Sequence, residues 1–517
     1  MGTNVAALET NSSRLDIAVQ TMDRTVTNSS LSNKSKYLSA AAYYNRGAEL
    51  LKSGDTRTAI LEFSRAIRDY PQFALAYSSR GAAEEQGGDV DAAIADFDHA
   101  IEIDPRCAPA YTNRAHAKED KGDYGGAIAD HNQAIEIDPR SSLAFHDRGV
   151  VKKKQRDLDG AFADFNEAIK LDQHFAPSYS SRAEIKFEKA DYDGALADLN
   201  RAIELDRRYE PAYVNRGRIK EEKQDYDGAL ADFNKAIEIN SHDASAYNGR
   251  GRIKSKEGNY EGAIADHTRA IECDPRNALA YDNRGISKML SGNFNDAIVD
   301  LNTAIEIDPH SASAYLNRGS AKLKTGDRDG AIADFSRVVE IDPRMASGYL
   351  NRGMAKMGKD NDGAIADFAE AIKINPGRAI AYADRALVEY GRGDFDSAIK
   401  DCDEAIHLDP KGRVAFTARA KVRYRKGDVN GAIEDAKKGA ELSDLYRDPE
   451  GALRNRGFLD FLNGDYQKAV ALWEQAIQND PAAEKELRAW IKEAKANQDK
   501  SGTNGSTNSV HDAGHHQ

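Results

Sequence analysis

The feature that most constrains this chain is a repeat of 34 residues. An arginine returns at Arg46, Arg80, Arg114, Arg148, Arg182, Arg216, Arg250, Arg284, Arg318, Arg352, Arg385, Arg419 and Arg456; ten of the twelve intervals are 34 residues, one is 33 and one is 37. A fixed period of this length, sustained from about residue 40 to 483, dictates a stack of thirteen small units. Each buries its apolar face on its neighbours, so no single globular core is required.

The ninth copy shows how a unit is built. Tyr315 to Thr325 reads as one helical run, broken at Gly326-Asp327; Asp329 to Ile341 reads as a second, closed by Asp342-Pro343. Glycine and aspartate supply the turn and a cap for the following helix. Proline cannot continue a helix and so marks the boundary between units. The unit is therefore an αα-hairpin. Two small residues, Gly319 and Ala331, recur at the same places and let the helices approach, with alanine in the first place where glycine is missing (Ala115, Ala183, Ala386, Ala420).

Tyr315, Gly319, Ala331, Phe335 and Pro343 fall at the offsets of the tetratricopeptide repeat, which the chain resembles over thirteen consecutive units. The resemblance implies an all-α fold, a right-handed superhelical α-solenoid of hairpins. It also implies a concave groove lined by the first helices, in which such proteins hold a peptide or an extended segment of a partner.

The chain departs from that pattern in its charges. The usual leucine place is arginine in every unit, and the usual tyrosine place is lysine in eight successive units, Lys118 to Lys356. At about 100° per residue both fall on the packing face of the first helix. A partly buried cation needs a partner. The second helix offers one: an aspartate immediately before the Phe335 place in repeats two to twelve, Glu62 in repeat one and Leu472 in repeat thirteen. This predicts an internal charge ladder in place of a basic, nucleic-acid-reading stripe, and the net charge of −13 also opposes phosphate backbones.

Residues two before, two after and five after each arginine lie on the opposite face of the first helix, about 140–200° away, and vary most between units. Repeats two to seven carry polar residues there, including Glu85, His116, Glu119, Lys153, Glu184, Arg218, Glu221 and Arg252. Repeats eight to eleven carry Ile286, Met289, Leu316, Leu323, Leu350, Met354, Met357, Leu387 and Tyr390, with Leu290 beside them. That apolar run is the candidate partner-binding surface; methionines suit a face that adapts to its ligand. Its alternative is self-packing on neighbouring helices or on the N-terminal segment. Phe458 and Phe461 extend the run in repeat thirteen. Arg218 and Arg252 could clamp an anionic group of a partner, although Glu222 stands four residues after Arg218 and offers a local pair. The family's peptide-carboxylate clamp needs asparagine just after the glycine in two successive units, and no unit has it. His116, Asp120 and His146 could meet across repeats three and four, but no further strong ligand supports a metal there.

No nucleophile–base pair, phosphate loop or metal spacing is visible, so the expected function is a non-enzymatic protein-interaction scaffold without cofactor. The alternatives are an architectural subunit contacting partners through its sides or ends and, least favoured, an RNA-binding helical repeat. Three scattered cysteines, Cys107, Cys273 and Cys402, form no disulfide framework and read as buried thiols. No signal-peptide or membrane-spanning run is present, which predicts a cytoplasmic protein. The expected organisation is a flexible segment over 1–36, the solenoid over 37–483, a capping helix over 484–499 and a disordered tail over 500–517. A short docking helix through Leu15, Val19, Met22 and Val26 is one reading of the first segment. Loosening is expected around Ser443–Glu450, where three residues are gained.

Overall fold

The computed structural model describes residues 31–480 and 483–505, with side chains from 36 to 480 and from 483 to 500. The Leu15–Val26 segment, the first thirty residues and the tail beyond 505 lie outside the described residues. Within them are 27 α-helices and no strand. Helices follow one another as hairpins, from Leu31–Lys52 with Thr56–Asp69 in repeat one to Pro449–Leu462 with Tyr466–Asn479 in repeat thirteen. A last helix, Glu484–Gly505, follows. The first helix starts inside the segment read as flexible, and the last runs past the boundary drawn at 499. The chain falls into two compact units that meet in sequence at Ile253 and Lys254.

The local chemistry of the hairpin is as read from repeat nine. Gly326 adopts φ 88°, in the left-handed region, and the Asp327 carboxylate accepts the backbone N–H of Gly330 at 2.9 Å, capping the second helix. Repeats four, five and six make the same turn without glycine, on Arg156 (φ 67°), Ala190 (φ 59°) and Gln224 (φ 61°), at a cost of roughly 1–2 kcal/mol each.

The core of each hairpin is a matched pair. A Cβ placed on Gly319 would lie 2.7 Å from the Phe335 ring, and Gly149 and Gly353 stand in the same relation to Phe165 and Phe368. Where alanine replaces this glycine, the facing residue is no longer phenylalanine: Ala115, Ala183, Ala386 and Ala420 belong to repeats carrying His131, Leu199, Cys402 and Ala436. The bulk added on the first helix is met by a smaller side chain on the second, which avoids overpacking at the contact. His131 is fully buried, and burial pushes its pKa down to about 4. Cys107 and Cys402 are buried, but Cys273 is only half-buried.

The two irregular intervals are absorbed differently. The missing residue of repeat ten shortens its first helix to Ala346–Lys356, whose last carbonyls are held by Arg328: its Nη1 donates to Met357 O at 2.7 Å and to Ala355 O at 3.3 Å. The three extra residues after repeat twelve lengthen its second helix, Val429–Leu445, to 17 residues. The segment read as loose is thereby mostly helix. It turns at Arg447 (φ 52°), and Asp448 caps the next helix through Gly451 N at 3.1 Å.

Candidate functional site

The charge ladder forms. In repeats three to six and eight to ten the aspartate accepts from its own arginine at Nε (2.8–3.0 Å) and Nη2 (2.6–2.7 Å). It is also ion-paired with the lysine one turn later at 2.7–2.9 Å. This is the fork-to-fork geometry that guanidinium favours. In repeat twelve Arg423 takes the lysine's part, 2.9 Å from Asp435. Repeat one has a looser pair, Arg46 with Glu62 at 3.4 Å. Repeat thirteen, lacking the acid, turns Arg456 to Asp444 at 2.6 Å.

Sequence reasoning missed the arginine's third and fourth attachments. The remaining Nη1 reaches back sixteen residues to the second helix of the preceding repeat. It donates to Asn132 in repeat four, Asn166 in five, Asn200 in six, Asn234 in seven and Asn302 in nine, at 2.7–2.8 Å. The guanidinium also stacks on the aromatic ring three residues earlier, as Arg318 does on Tyr315 at 5.3 Å. One side chain therefore ties its own hairpin and the hairpin before it. The signal was in the sequence, since polar residues recur two places after the aspartate.

Glutamate replaces the lysine in repeats two and eleven. Glu84 and Glu389 then lie beside Asp96 and Asp401, and burial first, with the neighbouring aspartate second, raises each to about 7. Both are carboxylates without a second cation to share.

On the opposite face of the first helix the three variable places separate. The place two before the arginine is mostly closed: Ser78, His146, Ser180, Val214, Asn248, Asp282 and Leu350 are buried there, while Thr112 and Leu316 are half-buried. It packs against the next repeat's first helix, as where Asn317 donates to Asp282 at 2.8 Å. Leu350 accordingly belongs to a core cluster with Ala364, Phe368, Ala381 and Val388. The later places form the accessible face. Leu290 and Met354 are exposed, at 53% and 43%. Ile286, Met289, Leu316, Leu323, Met357, Leu387 and Tyr390 are half-buried, with Leu316 and Leu323 leaning on Phe335, Met357 on Phe368 and Leu387 on Cys402.

In the first compact unit the same places are tied together by charge. Lys153 pairs with Glu184, Lys154 with Glu119 and Arg252 with Glu221. The last pair takes Arg252 out of any anion clamp. The pair weighed from sequence, Arg218 with Glu222, is also replaced: Arg218 lies over the Phe187 ring at 5.7 Å. His116 pairs with Asp147 at 3.4 Å and His146 meets Ser178 at 3.0 Å, so the His116, Asp120 and His146 set does not assemble.

The final helix settles the fate of Phe458 and Phe461. Trp490 stacks on them edge-on at 4.9 and 5.6 Å, and both are 3% exposed. Glu486 pairs with Lys421 and Glu493 with Arg425. The helix thus covers the variable face of repeats twelve and thirteen, and the apolar run ends as self-packing there.

Family models described as tetratricopeptide repeat match residues 44–108, 108–141, 176–209, 210–243, 244–277, 312–345 and 356–413, and a TPR repeat model matches 287–326. No curated protein matches the chain. Among solved structures, one titled as the APC/C hetero-tetramer Cut9-Hcn1 is 13% identical, with TM-score 0.53, over 92% of this chain and 98% of that one. YrrB, titled a TPR protein with an unusual peptide-binding site, is 24% identical over 36% of this chain and 97% of its own, TM-score 0.32. A tetratricopeptide repeat protein from Parabacteroides merdae is 21% identical over 48% and 98%, TM-score 0.39. Among the described residues no helix is long and apolar enough to cross a membrane.

Proposed function

Because the chain belongs to the tetratricopeptide repeat family, we propose that it is a non-enzymatic scaffold that binds an extended segment of a protein partner. The binding surface is the first-helix face of repeats eight to eleven. One observation carries this reading: the ladder consumes the repeated cations internally, leaving a face whose exposed members include Leu290 and Met354. The half-buried Ile286, Met289, Met357, Leu387 and Tyr390 flank them. Apolar side chains held at half exposure on rigid helices suit a guest that adds the missing cover without reordering its host. Arg218 contributes at most a stacked cation beside Phe187. The same internal pairing argues against nucleic acid, since it takes up the repeated cations of the described residues that would otherwise release counterions. A cytoplasmic setting fits a chain with only three, scattered cysteines.

The test is a photo-crosslinking residue placed at Met354 or, as control, at Val299, which is 62% exposed on the second helix of repeat eight. Adducts with partner proteins are expected from position 354 and are to be lost in a Leu290→Glu background. Equal adducts from 299, unaffected by Leu290→Glu, would favour an assembly subunit that docks through its sides.

A further inference from the structure

The second compact unit contains a cavity of about 400 Å³ between the first helices of repeats eleven, twelve and thirteen and the final helix. Its charged walls are mostly self-satisfied. Arg413 pairs with Asp448 at 2.7 Å, Lys421 with Glu486, and Arg454 with Asp480. The exceptions are Arg454, whose Nε has no hydrogen-bond partner although its Nη2 is paired, and Asp384. Asp384 lines the cavity, is 7% exposed, and its Oδ2 has no hydrogen-bond partner. Burial alone pushes its pKa up to about 7, with no cation offsetting it. The rest of the wall combines the aromatic rings of Phe458, Trp473 and Trp490 with aliphatic Leu387, Val414 and Leu487 and with neutral polar side chains.

Repetition shows what this aspartate lacks. The place just before the ladder arginine is asparagine in repeats one, three, six, eight, nine, ten and thirteen, and aspartate only in repeats four and eleven. Asp147, in repeat four, is neutralised by His116, which stands two places after the arginine of the repeat before. The corresponding residue ahead of Asp384 is Met354, which has no charge to give. A buried carboxylate with no internal cation destabilises its fold unless a ligand neutralises it, and an aromatic wall beside it suits a cation.

We propose that this cavity is a binding site for an alkylammonium group, neutralised by Asp384 and walled by Trp473 and Trp490. The group can come from a lysine side chain of a peptide or from a free diamine. The site adjoins the partner surface at Leu387, which also lines the cavity, but it is tested with free amines and short peptides and does not rest on that surface binding a protein.

The chain has two tryptophans, and both line the cavity, so intrinsic fluorescence of the full-length protein reports occupancy directly. Three probes suffice: the blocked peptide Ac-Ala-Ala-Lys-Ala-Ala-NH2, the same peptide with its lysine Nε-acetylated, and 1,5-diaminopentane. The lysine peptide or the diamine is expected to saturate the signal, the one that does so identifying the source, and the acetylated peptide to have no effect. Binding should tighten about tenfold between pH 6 and pH 8 as Asp384, about 7 when empty, gives up its proton. Asp384→Asn should abolish binding while raising the melting temperature, which separates loss of the site from loss of fold. Equal binding of the acetylated peptide, unchanged binding in Asp384→Asn, or no response to either amine would overturn the proposal.

Discussion

Removing one rung of the ladder tests the energetics most sharply, and Asp300→Ala is the change to make. Asp300 is 3% exposed. It accepts from Arg284 at 2.9 and 2.7 Å and is ion-paired with Lys288 at 2.7 Å. Three charged contacts at about 1.5–3 kcal/mol each set a gross ceiling of about 4.5–9 kcal/mol. The abandoned cations recover part of this, because their side chains keep 17% and 19% exposure and can turn towards water. The expected net loss is therefore about 3–5 kcal/mol, the range for breaking a buried pair from one side. A repeat array need not unfold as one unit, so a global melting curve can dilute the effect. Hydrogen exchange followed by mass spectrometry should be read on peptides from the helices Ala278–Leu290 and Phe294–Ile307. Loss of 3 kcal/mol accelerates exchange by about a hundredfold. Arg284→Met with Asp300→Leu should recover most of it, since a buried ion pair gains little over a packed apolar pair. Unchanged exchange in Asp300→Ala would refute the claim that the ladder is desolvated and structural.

Other outcomes follow from the same packing. Gly319→Ala should cost about 1–3 kcal/mol by crowding Phe335, and Phe335→Leu in the same chain should restore much of it, as Ala183 with Leu199 already does in repeat five; paired denaturation curves check this. Gln224→Gly should raise stability by roughly 1–2 kcal/mol by relieving a left-handed turn, read as slower exchange in repeat six. Glu84→Lys and Glu389→Lys should stabilise repeats two and eleven by restoring the absent lysine. Folded-state values raised to about 7 from 4.5 mean that these glutamates favour the folded state below 4.5 and lose that benefit as pH rises through 7. The gain from lysine should therefore be larger at pH 8 than at pH 5, measurable as a melting temperature at each pH.

How much of this was legible beforehand depended on whether repetition carried the signal. The hairpin, its aspartate cap and the arginine–aspartate rung are written up to thirteen times, so one copy corrects another. The glycine–phenylalanine match was equally present, but only as a covariation: His131, Leu199, Cys402 and Ala436 each answer an alanine, which is visible only once the two helices are known to touch there. The candidate surface was harder. A helical wheel places Leu350 and Met354 on one face, yet the first is buried by the next repeat and the second is 43% exposed. Angle about one axis does not encode how closely a parallel neighbour approaches. Phe458 and Phe461 failed for a related reason: the covering Trp490 comes from a non-repeated helix, about which the period is silent. Asp384 stands out only against its asparagine counterparts and only with its surroundings known.

The reading of this molecule as a scaffold whose apolar first-helix face does the binding is tested most directly by a protection map. The full-length chain, with a crosslink-identified partner bound, should be compared with the free chain by hydrogen exchange and hydroxyl-radical labelling. Protection is expected at Leu290, Met354 and Met357 and along Ala278–Leu290 and Ala346–Lys356, with Val299 and Leu61 on the second helices labelled as before. Protection at Val299 and Leu61 with Met354 still labelled would contradict it.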